Sequence, residues 1–254
     1  MKIGFVTFCT ENYINIMDNL IESVLLFSKY DIIVYCLNFD YKHESNRIKT
    51  KRIDLNDLSY FNICKMKIYA TIDCGLDVGL ILDCDMIVTN EIDNIFDENL
   101  NNVMNSEFPL FAKHPHNPFN RSDYSTVVKS YTTKEPKMKW VYASYIFSKK
   151  NIWFIQKVYD EMCKLNAQIG EDELIINAFL TECQVNYDIG YNYLPNAMND
   201  MIDIFLGNLE NTVENNPYLQ HDCPVKFFIF HGHLCKNPIE CEKLIDNIKN
   251  LNKL

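Results

Sequence analysis

Val78-Gly79-Leu80-Ile81-Leu82-Asp83-Cys84-Asp85 sets an unbroken apolar run against two carboxylates one residue apart. A run of that length, closed by charged residues, reads as a short buried strand ending at Asp83. Ligands of open α/β sheets bind beyond the carboxyl ends of the strands, so Asp83 and Asp85 stand where a ligand is met. Both carboxylates reach one cation if the chain bends there or the cation sits at the strand tip. Hard oxygen ligands of this kind suit Mg²⁺ or Mn²⁺ bound together with a diphosphate. The plain alternative is a pair of solvated carboxylates, and Asp-x-Asp alone does not choose between the two.

Working outward, Lys2 to Cys9 reads as a first strand buried on both faces. Thr10 to Tyr13 forms a polar turn. From Ile14 to Phe27 the apolar residues Met17, Leu20, Ile21, Val24 and Leu25 recur at helical spacing. Asp31 to Leu37 is a second strand, and a β-α-β opening implies a parallel sheet. Ile63 to Ile72 reads as a helix, Met86 to Val88 as a brief strand, and Asn90 to Phe96 as the start of a turn or helix. The stretch from about Asn105 to Lys139 carries Pro109, Pro115, Pro118 and Pro136 and has no clear period, so it is expected to be a functional loop on the acceptor side. Trp140 to Ser148 is a strand, Asn151 to Leu165 a helix, and Glu171 to Phe179 the start of another. Val225 to Phe230 reads as a strand and Glu240 to Leu254 as an amphipathic helix. Neither an internal repeat nor a linker is visible, so 1–254 reads as a single domain.

The chain has 254 residues, 48% of them hydrophobic and 23% charged, which places it in the globular class and gives it enough length for a sizeable core. A formal net charge of −10 argues against broad nucleic-acid binding, which needs a positive field. An acidic protein can still take an anionic nucleotide through a metal ion or a few placed lysines. The 10 cysteines contain no CxxC pair, and the N-terminal residues do not resemble a signal peptide. Free thiols and a cytoplasmic location are therefore expected. No run reaches the ~18 apolar residues of a membrane span.

Several blocks in order along the chain together resemble glycosyltransferase family eight, the group that includes glycogenin. Gly4 to Tyr13 resembles that family's first strand and base-binding turn. Lys65 stands where the family carries a donor-binding lysine. Asp83 to Phe96 resembles its metal motif and the segment that follows. Tyr142-Ala143-Ser144-Tyr145-Ile146-Phe147 is similar to a strand that usually reads Asn-Ser/Ala-Gly, without the glycine. Gly170-Glu171-Asp172-Glu173 and Asn177 resemble a Gly-Asp-Gln stretch with a later Asn, Glu173 replacing the usual Gln. Phe230 to Pro238 resembles a His…Gly…Lys-Pro signature, with His231 to Lys236 one residue short and Asn237 interposed.

The resemblance implies a GT-A α/β fold with a mostly parallel central sheet and helices on both faces. It implies transfer of a hexose, with retention, from a nucleoside diphosphate sugar such as a UDP-sugar to a glycan, protein or lipid hydroxyl, with Mn²⁺ or Mg²⁺ as cofactor. It makes Phe8, Thr10, Tyr13, Lys65, Asp83, Cys84, Asp85 and Lys236 the donor-binding set, Asp83, Asp85 and His231 the metal ligands, and Asp172 and Glu173 the catalytic pair. A homodimer is admitted; nucleic-acid partners are not.

Each residue also has an ordinary reading. Tyr13 could stack on a pyrimidine or be one more half-buried tyrosine. Thr10 could bond the nucleotide or cap the next helix. Lys65 could offset phosphate charge or lie on a solvated helix face, which Lys67 could equally occupy. His231 and His233 compete for one metal position, with His231 the first residue beyond the apolar strand. His114 and His116 read as surface loop. Acidic residues at 171 to 173 also suit a helix N-terminus.

Three other functions are subordinate to this reading. A haloacid-dehalogenase phosphatase would carry Thr where Ile87 stands, near the N-terminus. A pyrophosphorylase would need glycines in the turn from Cys9 to Tyr13. A donor-binding protein without turnover stays as the alternative. Replacing Asp85 by Ala is expected to abolish Mn²⁺-dependent UDP binding while leaving the circular dichroism spectrum unchanged; calorimetric binding equal to that of the unsubstituted protein refutes the assignment.

Overall fold

The computed structural model describes residues 1–90, 92–113, 122–138, 140–165, 172–186, 198–199, 229–231 and 237–251. Five segments form the first half: β1 (Ile3–Thr10), a short 3-10 turn (Glu11–Tyr13), α1 (Ile14–Phe27), β2 (Asp31–Leu37) and β3 (Ile48–Ile53). They are followed by α2 (Tyr60–Asp73), β4 (Val78–Ile81), β5 (Met86–Val88) and α3 (Ile92–Asn105). The second half holds β6 (Leu110–Lys113), α4 (Ser122–Tyr131), β7 (Val141–Ser148), α5 (Ile152–Lys164) and α6 (Asp172–Glu182). β8 (Met198–Asn199), β9 (Ile229–His231) and α7 (Pro238–Leu251) complete the described elements.

The central sheet has six strands in the order β3-β2-β1-β4-β7-β6. β1, β2, β3 and β4 run parallel, while β7 is antiparallel to both β4 and β6. β7 alone therefore opposes the common direction. Side chains alternate faces along each strand, and two apolar layers result. Phe5, Ile32, Val34, Leu80 and Ile146 pack with α1 and α3 on one face. Val6, Ile33, Tyr35, Ile81 and Tyr145 pack with α2, α5 and α6 on the other. The mostly parallel sheet with helices on both faces is thus the observed architecture.

A second sheet, β5-β9-β8, starts immediately after the Asp83–Asp85 turn. Its β9 pairs antiparallel with β5, setting Met86 opposite His231. Among the described residues, no helix is long and apolar enough to cross a membrane.

Two expectations need correction. The stretch from Asn105 to Lys139 is not one irregular loop. It contains β6, an edge strand of the central sheet with Leu110 and Phe111 fully buried, and α4. Pro109 directly precedes β6 and Pro136 follows α4, so these prolines bound elements and do not break them. An acceptor loop spanning that whole stretch is therefore ruled out. The edge strand β3 was also not anticipated, because Lys49, Lys51 and Arg52 mask its apolar signal. Those charges belong to an edge, where they discourage pairing with another chain. Lys49 meets Asp31 at 2.7 Å and Lys51 meets Asp73 at 2.8 Å.

Close approach of strands explains one glycine. A Cβ on Gly4 would lie 2.7 Å from the backbone carbonyl oxygen of Asp31 in β2. Backbone cannot swing aside as a side chain does, so Gly4→Ala is expected to lower unfolding free energy by about 1–3 kcal/mol. Urea denaturation with an unchanged m-value checks this.

Candidate functional site

A cavity of about 370 Å³ opens at the carboxyl ends of β1 and β4. β1 and the turn after it contribute Phe8, Cys9, Thr10 and Tyr13. α2 contributes Tyr60, Ile63, Cys64 and Lys67, and the turn after β4 contributes Asp83, Cys84 and Asp85. Tyr142, Ala143 and Ser144 of β7 and Asp172 and Glu173 of α6 close the far wall. The β4–β7 pairing ends at Leu80 opposite Ile146, and the same antiparallel register carries Tyr142 to Ser144 alongside the carboxylate turn.

Lys67 is the charged centre of this cavity. It lies on the buried face of α2 with Phe61, Cys64, Ile68 and Thr71, residues spaced three and four apart. Its Nζ stands 2.6 Å from Asp83 Oδ1 and 3.4 Å from Asp172 Oδ2. Burial on its own would depress the Lys67 ammonium, but the Asp83 and Asp172 carboxylates outweigh it and hold the group above the ordinary lysine value. Burial pushes the Asp172 carboxyl up, and Lys67 opposes that shift. One cation thus serves two carboxylates. Lys65 is turned away: its Nζ lies 5.8 Å from the Phe61 ring, and it takes no part in the cavity wall.

The first residues of α6 are fixed from below. Asn177 accepts from the Val141 amide at 3.0 Å and donates to the Val141 carbonyl at 2.8 Å, pinning α6 to the start of β7. The indole Nε1 of buried Trp140 donates to Glu173 Oε1. Glu173 therefore has a set direction, and Asp172 is only 5% exposed.

Phe8, Thr10, Tyr13, Asp83, Cys84, Asp85, Asp172 and Glu173 meet at one cavity; Lys65 does not. Thr10 makes no side-chain capping bond to the turn that follows it, which leaves its cavity position as its visible role. Tyr13 is 41% exposed at the mouth. The backbone of His231 lies opposite Met86, one residue beyond Asp85. Lys236, Glu171, His233, His114 and His116 fall outside the described residues. Sequence reading passed over Lys67 as a site residue, although its spacing from Cys64 and Thr71 places it on the apolar stripe of α2.

Among the described residues, no group of three or more His, Cys, Asp or Glu side chains is arranged to hold a metal ion. Asp83 and Asp85 supply two hard carboxylates at the cavity floor, with one oxygen of Asp83 engaged by Lys67. That set fits a cation that draws its remaining oxygens from a diphosphate and water. A hydrogen bond with Cys9, together with burial, pushes the Cys84 thiol well above the usual cysteine range, so Cys84 is a neutral thiol here.

The architecture is the GT-A fold of glycosyltransferases. The chain is similar to a galactosyltransferase, LgtC, solved in complex with donor and acceptor sugar analogues, with TM-score 0.58 and 13% identity over 97% of this chain and 96% of that one. It is similar to the same degree to an active-site Gln-to-Glu mutant of LgtC, with TM-score 0.58 and 13% identity over 98% and 95% of the two chains. No protein-family model and no curated protein matches the sequence.

Removing the Lys67 charge leaves two carboxylates without their buried cation. Lys67→Met is expected to destabilise the protein by about 3–5 kcal/mol at neutral pH, against less than ~0.5 kcal/mol for Lys65→Met. In the Lys67 variant buried Asp172 loses the cation that opposes the upward push of burial on its carboxyl. The variant's deficit should therefore shrink as pH falls and Asp172 protonates. Chemical denaturation at neutral and acid pH checks both the size and the sign.

Proposed function

We propose that this protein is a metal-dependent glycosyltransferase that moves a hexose, with retention, from a UDP-sugar to a hydroxyl of a glycan, protein or lipid. The observation that carries this reading is the convergence of five separated segments on one cavity at the strand tips of a GT-A fold, floored by Asp83 and Asp85. An aromatic and apolar side (Phe8, Tyr13, Ile63) and a carboxylate side (Asp83, Asp85, Asp172, Glu173) match the two ends of a nucleotide sugar.

Tyr13 presents an aromatic face for the base at the cavity mouth, and Thr10 a hydroxyl beside it. Asp83 and Asp85 would hold Mn²⁺ or Mg²⁺. When bound, the ion supplies Lewis-acid stabilisation of the departing diphosphate. Lys67 keeps Asp83 and Asp172 fixed relative to each other, so the floor and the far wall of the cavity move as one unit. Asp172 and Glu173 face the sugar end, and the Trp140 bond keeps Glu173 from rotating freely. His231 and Lys236 follow in the chain where a further metal ligand and a phosphate-binding cation would complete the donor site.

Calorimetry with a panel of nucleotide sugars and Mn²⁺ is expected to show UDP-sugar binding, and an assay of released UDP to show turnover with an acceptor. Binding without release would make the protein a nucleotide-sugar binder only. Tyr13→Ala should weaken donor binding by about 1–3 kcal/mol, the range for aromatic–base stacking, while Tyr13→Phe should be nearly silent. Equal losses in the two variants would assign the role to the hydroxyl.

A further inference from the structure

One face of α2 runs from solvent to the bottom of the cavity. Tyr60, Ile63, Cys64 and Lys67 recur at intervals of three and four, and all four line the cavity wall. Exposure falls along this stripe, from 65% at Tyr60 to 6% at Cys64 and 4% at Lys67. Lys67 marks the deep end through its contacts with Asp83 and Asp172. At 1.5 Å of helix rise per residue, the backbone of Tyr60 stands roughly 10 Å from that of Lys67. The Tyr60 ring therefore belongs to the mouth of the cavity.

The two exposed tyrosines of the mouth arrive from opposite faces of the central sheet. Tyr13 leads into α1, which packs on the face of Phe5 and Leu80. Tyr60 opens α2, which packs together with α6 on the face of Val6 and Ile81. Asp172 and Glu173 are the first two residues of α6. Tyr60 thus shares its side of the sheet with the carboxylates, and Tyr13 does not.

The segment that carries the ring is polar and fixed. Asp57 accepts from the Ser59 amide and, through its other oxygen, from Asn62 Nδ2, each at 2.9 Å. These bonds hold the start of α2 and so the backbone of Tyr60. Leu58, 40% exposed, is the other exposed apolar side chain of this segment. An acyl chain would need apolar surface continuing well beyond one ring. A pyranose needs less: its axial C–H groups form one apolar face, and hydroxyls surround that face. An aromatic ring with a polar edge complements it.

We propose that Tyr60 is an acceptor-binding residue, its ring stacking on the C–H face of a saccharide whose hydroxyl is turned toward Asp172 and Glu173. This rests on the glycosyltransferase reading above and narrows the acceptor of that reading to a carbohydrate.

The test uses the full chain with UDP and Mg²⁺, a diamagnetic ion that permits NMR. The probes are the methyl glycosides of glucose, galactose and mannose, with lactose and maltose. Saturation-transfer NMR should detect binding of at least one, strongest at the ring protons of one sugar face. Tyr60→Ala should weaken that binding by at least about fivefold, the loss of one aromatic contact, and Tyr60→Phe should retain it. Calorimetry should give the same UDP affinity for both variants and the unsubstituted protein. The exposure of Tyr60 makes misfolding no obstacle, and an unchanged circular dichroism spectrum verifies that. A fall in UDP affinity in Tyr60→Ala would assign the ring to the base and overturn the proposal. So would saccharide binding that is indifferent to Tyr60→Ala, or a protein that binds UDP and none of the saccharides. Tyr60-dependent saccharide binding by a protein that fails to bind UDP would count against the donor reading and leave the saccharide site standing.

Discussion

A single ammonium group, the Nζ of Lys67, stands between carboxylates that arrive from distant parts of the chain. Asp83 reaches it from the turn after β4 and Asp172 from the first residue of α6. Lys67 is 4% exposed, and a buried charge in that position persists only because it is paired on both sides. The same pairing fixes where α2, the β4 turn and α6 sit relative to one another. The cavity exists because these three elements are held at one point above the sheet and not because any one of them is shaped for a ligand.

The sheet explains why that point lies at the strand tips. With β1 and β4 adjacent and parallel, the segments that leave their carboxyl ends emerge side by side, so Thr10 and Tyr13 stand next to Cys84 and Asp85. β7 enters from the opposite direction and brings Tyr142 to Ser144 into the same place. Asn177 then locks α6 onto the start of β7 with a bond to each polar group of Val141, and Trp140 takes hold of Glu173. The polar groups of the site are thus anchored in buried structure, which is what keeps carboxylates at defined positions in a cavity open to water.

The main fold was legible because its central strands are buried and its helices amphipathic. Asp31–Leu37 and Ile14–Phe27 were read with their observed limits, and β4 and β7 to within a residue. What was not legible follows from two physical conditions. β3 is an edge strand with Lys49, Lys51 and Arg52 spread over both faces, so its pattern lacks the apolar run of a central strand. β6 is short and preceded by Pro109, so it was absorbed into an apparently irregular stretch.

The sequence by itself determined the carboxylate pair at a strand end, the aromatic turn after the first strand and the acidic start of α6, because each is a local pattern of residue types. Tertiary structure decided which lysine serves the site. Lys65 and Lys67 are two residues apart on one helix, and at about 100° per residue they point in very different directions. Helical spacing puts Lys67 on the face of Cys64 and Ile68, and the packing of α2 against the sheet brings that face to Asp83 and Asp172. Tertiary structure also placed Trp140 beneath Glu173 and Asn177 against Val141. Those contacts join residues far apart in the chain, and their register is set by strand pairing and helix docking, which no local pattern encodes.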